Sequence, residues 1–291
     1  MSAFWEQVRA GGLAVPDDRP LDELTAELTT MLGDPDPSIR DGLACATLTT
    51  WITGGVYDDL LQGLGDGMTT GLWVGLGENG TDTVFRRSFS ARVLTECLRR
   101  ENLEHLLPAD AVLRWGDRVA GWFVREQDLR GFVPGKGWAH SVAHGADAIA
   151  GLGSSMSMGR LELIVLLDVL ADRLLEPTEH RLVHGEADRL AAATMTILRR
   201  DLISVDVLEP WLTRLGDSVS DSEAEQSELS LVRGNVQSWL RALHLQLALT
   251  NAPPACRADA LLVVIEQLRR ANPQVLGPGR ETPAGGGSAS R

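Results

Sequence analysis

The chain has 291 residues, 44% of them apolar and 23% charged, and carries a formal net charge of −13. That length is ample for burying a core as one large domain or two small ones. The acidic balance argues against nucleic acid or an anionic membrane as the main partner, although it does not describe any one cleft.

Nearly every segment carries a helical period, and strand signals are scarce. Helical patterns separated by proline, glycine and aspartate run near 3–10, 20–32, 37–54, 56–75, 82–101, 108–125, 137–152, 159–175, 178–200, 204–216, 224–250 and 254–271. Several starts have a mechanism. Asp34-Pro35-Asp36-Pro37-Ser38 gives a turn and then an N-cap, and Pro108-Ala109-Asp110 places proline and an acid in a first turn. The glycine-rich patch 63–80 is interrupted by Leu72, Trp73, Val74 and Leu76, which suits a packed, broken helix. The best apolar run, 161–175, is broken by Glu162, Asp168, Asp172 and Arg173 and falls short of the roughly 18–20 residues that cross a bilayer. The end from 276 to 291 is rich in glycine, proline and serine and is expected to be disordered.

About twelve helices with short connections point to an all-α fold of stacked helical pairs, a HEAT- or armadillo-like right-handed superhelix with a concave pocket, occupying 1–275 as one domain. A weak repeat supports it: His140-x-x-x-His144-Gly-x-Asp147 returns forty residues later as His180-x-x-x-His184-Gly-x-x-Asp188. Cys45, Cys97 and Cys256 lie far apart with no Cys-x-x-Cys pair, and no basic-then-apolar leader opens the chain. Both features lead us to expect a cytoplasmic protein.

Five constellations hold chemistry-bearing side chains. On a helix, His140, His144 and Asp147 share one face, so both imidazoles and the carboxylate project together. That set suits two metal ligands plus a third, an imidazole base oriented by Asp147, or a hydrogen-bonded pair tying helices together. Just before it, Asp128 and Arg130 lead into Gly135-Lys136-Gly137-Trp138. Lys136 is the only lysine among 27 basic residues, a compact ammonium where every other cation is a guanidinium. Together Asp128, Arg130 and Lys136 are expected at the mouth of the histidine site. In Phe85-Arg86-Arg87-Ser88-Phe89 the phenylalanines read as core, with Arg87 and Ser88 on another face, contacting a ligand or capping a neighbour. His184 with Asp188 forms an i, i+4 pair beside Glu186, on a helix that could supply Glu186 or Asp188 to a shared site. Asn235, Trp239 and Arg241 read as one end of a groove, Trp239 as packing. Nucleophile elbows, phosphate loops, dinucleotide fingerprints and zinc-finger pairs are absent.

The strings Phe85-Arg-Arg-Ser-Phe-Ser90, Asp128-Leu-Arg-Gly-Phe132, Gly135-Lys-Gly-Trp-Ala-His-Ser-Val-Ala-His144 with Asp147, and Glu186-Ala-Asp-Arg-Leu-Ala191 resemble the bacterial domain of unknown function 2785 family, over roughly 20–250. The resemblance implies an all-helical fold and brings no reaction with it.

Three functions follow as expectations. The first is an enzyme doing acid–base chemistry (hydrolysis, elimination or cyclisation) on a small molecule or peptide, without a redox cofactor. Its catalytic groups are His140, His144 and Asp147, and its substrate contacts are Arg87, Asp128, Arg130, Lys136, Trp138, Glu186, Asp188 and Asn235. The second is a metal-dependent version, with a divalent ion on His140, His144 and Asp147. The third is a non-catalytic scaffold that binds a peptide or protein along its groove. The oligomeric state is not legible.

Overall fold

The computed structural model describes residues 3–220 and 227–276. Among these the fold is helical, apart from one two-stranded ribbon. The chain opens with α1 (Ala3–Ala10) and α2 (Leu21–Met31). A third helix is built of α3 (Pro37–Ile39), a π-helical stretch Arg40–Cys45, and α4 (Ala46–Thr53). Its start obeys the expected cap: Asp36 accepts the Ser38 N–H at 2.8 Å, and Pro37, which has no N–H to lose, fills the first position. A 3₁₀ turn (Asp58–Leu60) leads into α5 (Leu61–Gly71), followed by α6 (Thr83–Glu104) and α7 (Ala109–Arg125). The ribbon, β1 (Phe132–Val133) and β2 (Gly137–Trp138), precedes α8 (Ser141–Ser154). Then come α9 (Arg160–Leu175), α10 (Glu186–Leu198), α11 (Val205–Ser220), α12 (Ser227–Leu249), α13 (Arg257–Ala271) and α14 (Pro273–Leu276). The tail expected from 276 falls, beyond Leu276, outside the described residues.

From α5 onward, each helix packs against the helix two places along. One layer runs α5, α7, α9, α11, α13, and the other runs α6, α8, α10, α12, with α5 against α6, α7 and α9 against α8, α9 against α10, and α11 and α13 against α12 across the layers. The hub of the second layer is α8, whose sequence Ser-Val-Ala-His-Gly-Ala-Asp-Ala-Ile-Ala-Gly-Leu-Gly-Ser is buried on nearly every side. Its small residues set the spacing. A Cβ on Gly151 would lie 3.1 Å from Leu98 of α6, one on Gly153 2.9 Å from Ile197 of α10, and one on Gly145 2.3 Å from the Phe123 ring of α7. Three helices therefore approach α8 closely, at the propensity cost of glycine within a helix.

Two expected helices start late. The pattern read as 137–152 begins at Ser141, because the preceding residues form the ribbon: Phe132 pairs with Trp138 and Val133 with Gly137. Its turn needs Gly135 and Gly137, both at φ near +76°, so the glycines serve backbone geometry. The pattern read as 178–200 begins at Glu186, and the preceding residues run irregularly. The two histidine pairs of the forty-residue repeat thus do not sit as i, i+4 pairs on helices.

Arg87 and Glu126 enter the core as a pair. Arg87 and Glu126 are both buried, with Arg87 Nε and Nη2 donating to the carboxylate at 2.6 and 2.8 Å. Arg87 also reaches the carbonyls of Val74 and Gly75 and the Thr83 hydroxyl, at 2.8–3.0 Å. The expected ligand contact at Arg87 is corrected here: the guanidinium is fully enclosed, and its donors are taken by protein acceptors. Arg87→Met leaves the Glu126 charge buried without its partner, so it should cost about 3–5 kcal/mol of unfolding free energy in urea titrations. Arg87→Met with Glu126→Met should lose clearly less than the sum of the two single variants.

Candidate functional site

Where α7 ends, residues 126–131 run extended into the ribbon, and three of the expected mouth residues grip one loop. Asp128 accepts the Gly80 N–H at 3.0 Å, Arg130 donates to the Thr81 carbonyl at 2.6 Å, and Lys136 pairs with Asp82 at 2.7 Å. Three successive residues are thereby held. Asp128 is fully buried and also forms a two-point pair with Arg130 at 2.6 and 2.8 Å. The lone lysine anchors the ribbon turn to the start of α6. With both partners about two-fifths exposed, that pair contributes little to stability. From the N-terminal region, the buried Arg40 donates to the carbonyls of Lys136 and Trp138 and lies over the rings of Phe85 and Phe89 at 4.0 and 4.9 Å.

The histidines come together differently from the helical-face expectation. His140 precedes α8 in the left-handed conformation, φ 56° and ψ 34°, which strains a residue with a side chain. Its ring does not run along the helix with His144. It stacks on Trp138, centroids 4.2 Å apart and planes at 28°, and meets His144 edge-on at 5.9 Å. His184, two residues before α10, closes the group at 5.5 Å from Trp138 and 6.5 Å from His140. Gly131 makes the room, because a Cβ there would lie 2.2 Å from His184 Nδ1. Buried Glu186 accepts the His184 backbone N–H at 2.7 Å and holds the approach to α10. Trp138, 41% exposed, is the open face of the cluster.

Each imidazole has its own electrostatic state. Burial pulls His140 below its ordinary value, and its Nε2 is buried without a hydrogen-bond partner. His144 is pushed down to about 3, chiefly by burial and then by neighbouring His140. Its tautomer follows from the bonding. Ser88 uses its hydroxyl hydrogen on the Ala139 carbonyl, so His144 Nδ1 must donate to Ser88 Oγ, at 2.9 Å. The proton resides on Nδ1, and Nε2 is the unprotonated nitrogen.

The remaining predicted residues take other places in the fold. Asp147 pairs with Arg189 and bridges α8 to α10. On the same helical layer it lines a hollow of about 460 Å³ with Arg99, Asn102, Leu103 and Thr196. Asp188 lines a second hollow of about 370 Å³ with Ser238 and Arg241. Buried Asn235 clamps the irregular 176–185 segment, accepting the Leu182 N–H at 2.9 Å and donating to the His180 carbonyl at 3.0 Å. Trp239 is packing, fully buried against Trp211. Among the described residues, no group of three or more His, Cys, Asp or Glu side chains is arranged to hold a metal ion. Also among these residues, no helix is long and apolar enough to cross a membrane.

A family model described as a protein of unknown function (DUF2785) matches residues 72–245. The chain belongs to the DUF2785 family. The matched span begins later than the sequence motifs suggested and contains every member of the imidazole cluster. Arg40, which clips the ribbon from outside, lies beyond it. No curated protein and no solved structure matches the chain significantly.

A buried histidine held neutral links folding to pH. The unfolded ring titrates near 6.5 and the folded one near 3, so the unfolded state binds the extra proton between them. Stability is therefore full above pH 6.5 and falls as the pH drops through that window. His144 should account for about 2 kcal/mol of loss between pH 7 and pH 5. Urea titrations at the two pH values check this, and His144→Gln should flatten the difference by that amount.

Proposed function

We propose that the two helical layers wind as a HEAT- or armadillo-type right-handed superhelix. We further propose an acid–base enzyme working at the imidazole cluster, with a small molecule or peptide laid against Trp138. The free thiols of Cys45, Cys97 and Cys256 suit a cytoplasmic setting. One observation carries the enzymatic proposal: His140, in a strained conformation, has a half-buried ring whose Nε2 is buried without a partner, beside a second imidazole and an exposed indole. Strain of that kind persists where surroundings hold it, and it concentrates at working sites.

In this scheme His140 is the base, because burial keeps it neutral near pH 7, and the more exposed His184 exchanges protons with substrate and solvent. His144 stands behind His140 with its tautomer set by Ser88, and Asp147 holds α8 against α10 through Arg189. The reaction class is hydrolysis, elimination or cyclisation. A scaffold reading has its own support: the two hollows flank α10 on one helical layer and would suit an extended peptide.

The test is a turnover screen over ester, amide and cyclisable substrates with the full chain, metal content measured alongside. His140→Gln and His184→Gln should each lower turnover by about 10²–10⁴-fold. The wild-type rate should rise with pH through a limb lying below 6.5, since the base must be neutral. Turnover no greater than that of a chain carrying both His140→Gln and His184→Gln across the panel would overturn the enzymatic reading. Peptide capture that survives both substitutions would favour the scaffold, and stoichiometric metal required for turnover would favour the metal-dependent version.

A further inference from the structure

On the other side of the 126–131 segment, the end of α9 and the start of the 176–185 segment enclose a cleft of about 230 Å³. We propose that this cleft binds a small ligand through a single carboxylate group, received by Arg173, at a site separate from the imidazole cluster. Arg173 lines the cleft, yet its residue surface is only 5% exposed. Its Nη1 donates to the Glu126 carbonyl at 2.7 Å and more distantly to those of Phe123 and Val124, at the end of α7. Its Nε is buried with no hydrogen-bond partner, and no carboxylate pairs with it among the described residues.

The nearby buried acid does not fill that role. Glu126 already takes four hydrogen bonds, two from Arg87, one from the Trp122 indole and one from the Asp128 N–H, and its charge is matched by Arg87. Burial works against the charged form of Arg173, and Glu176 and then Glu126 favour it through space, but neither carboxylate bonds the guanidinium directly. A buried cation that lines a polar cleft, with its Nε left without a partner, suits an anion from outside that bonds it directly. The planar guanidinium fork matches a carboxylate in shape. Asn79, Gln127, Thr178 and His180 supply further polar groups around the cleft. Glu179 and Glu126 also line it, so a singly charged carboxylate suits it better than a doubly charged phosphate.

The test uses the isotope-labelled full chain with acetate, butyrate, inorganic phosphate and chloride at matched ionic strength. The Arg173 Nε–H signal, assigned through bonds, and the melting temperature are followed. Expected is a saturable shift of that signal and a rise in melting temperature with acetate or butyrate beyond chloride. Thr178→Val, which leaves the guanidinium in place, should weaken the apparent affinity several-fold, and Arg173→Gln should abolish the response. His140→Gln should leave it intact, which separates this site from the imidazole cluster. Equal responses to chloride, a stronger response to phosphate, or a carboxylate response surviving Arg173→Gln would each overturn the proposal.

Discussion

Everything around the candidate site hangs on the Glu126 carboxylate. It sits one residue beyond α7 and draws together Arg87 from α6, Trp122 from the last turns of α7 and the N–H of Asp128, while its own carbonyl receives Arg173 from α9. A carboxylate in this interior is tolerable only because each oxygen is doubly bonded to donors and one donor carries the opposite charge. That constraint fixes the direction in which the chain leaves α7. The direction in turn puts Asp128 under the 80–82 loop and Gly131 under His184.

The strained turn at His140 is held by the same logic, one step further along. The peptide groups on both sides are tied down: His140 N–H to the Arg130 carbonyl, Ala139 N–H to the Gly131 carbonyl, the Ala139 carbonyl to Ser88, and the His140 carbonyl to the His144 N–H. Arg40 fixes the carbonyls of Lys136 and Trp138 from outside the family-matched span. With backbone bonds at every residue around it, His140 cannot relax into a helical conformation without breaking several of them. The surroundings therefore over-determine the strain, and the ring is forced back onto Trp138.

How much of this was legible follows from which forces act locally. The existence of the helices from α6 to α13, the Asp36 cap and the packing role of Trp239 follow from periodicity and turn chemistry. The meeting of His140 with His184 did not. Spacing along an assumed helix put His140 with His144 and Asp147, whereas the ribbon turn, with two glycines at positive φ, cut that helix short. The signal was present in Gly135-Lys136-Gly137, since two glycines flanking one residue mark a turn as readily as an approach to ligand. Gly131 stood in the Asp128-Leu-Arg-Gly-Phe132 string with nothing to show its purpose, because its function is to leave space where His184 lies. The burial of Arg87, Asp128 and Glu126 was equally hidden, since an ion pair across dozens of residues leaves no local pattern.

The segment from 176 to 185 joins the two polar regions. Its early part, with Thr178 and His180, faces the Arg173 cleft, and its end delivers His184 to the imidazole cluster. Between them Asn235 bonds both the His180 carbonyl and the Leu182 N–H, and Leu182 itself is buried. Gly234 leaves the space into which Arg181 folds, since a Cβ there would overlap its guanidinium at 1.1 Å. The middle of the segment is thus pinned to α12 by side-chain amide, apolar burial and a missing methyl group. A segment pinned at its centre gives the cleft and the cluster a common point of attachment. That attachment comes from α12, the last helix of the second layer, so Asn235, far along the sequence from His180 and His184, belongs to the same construction.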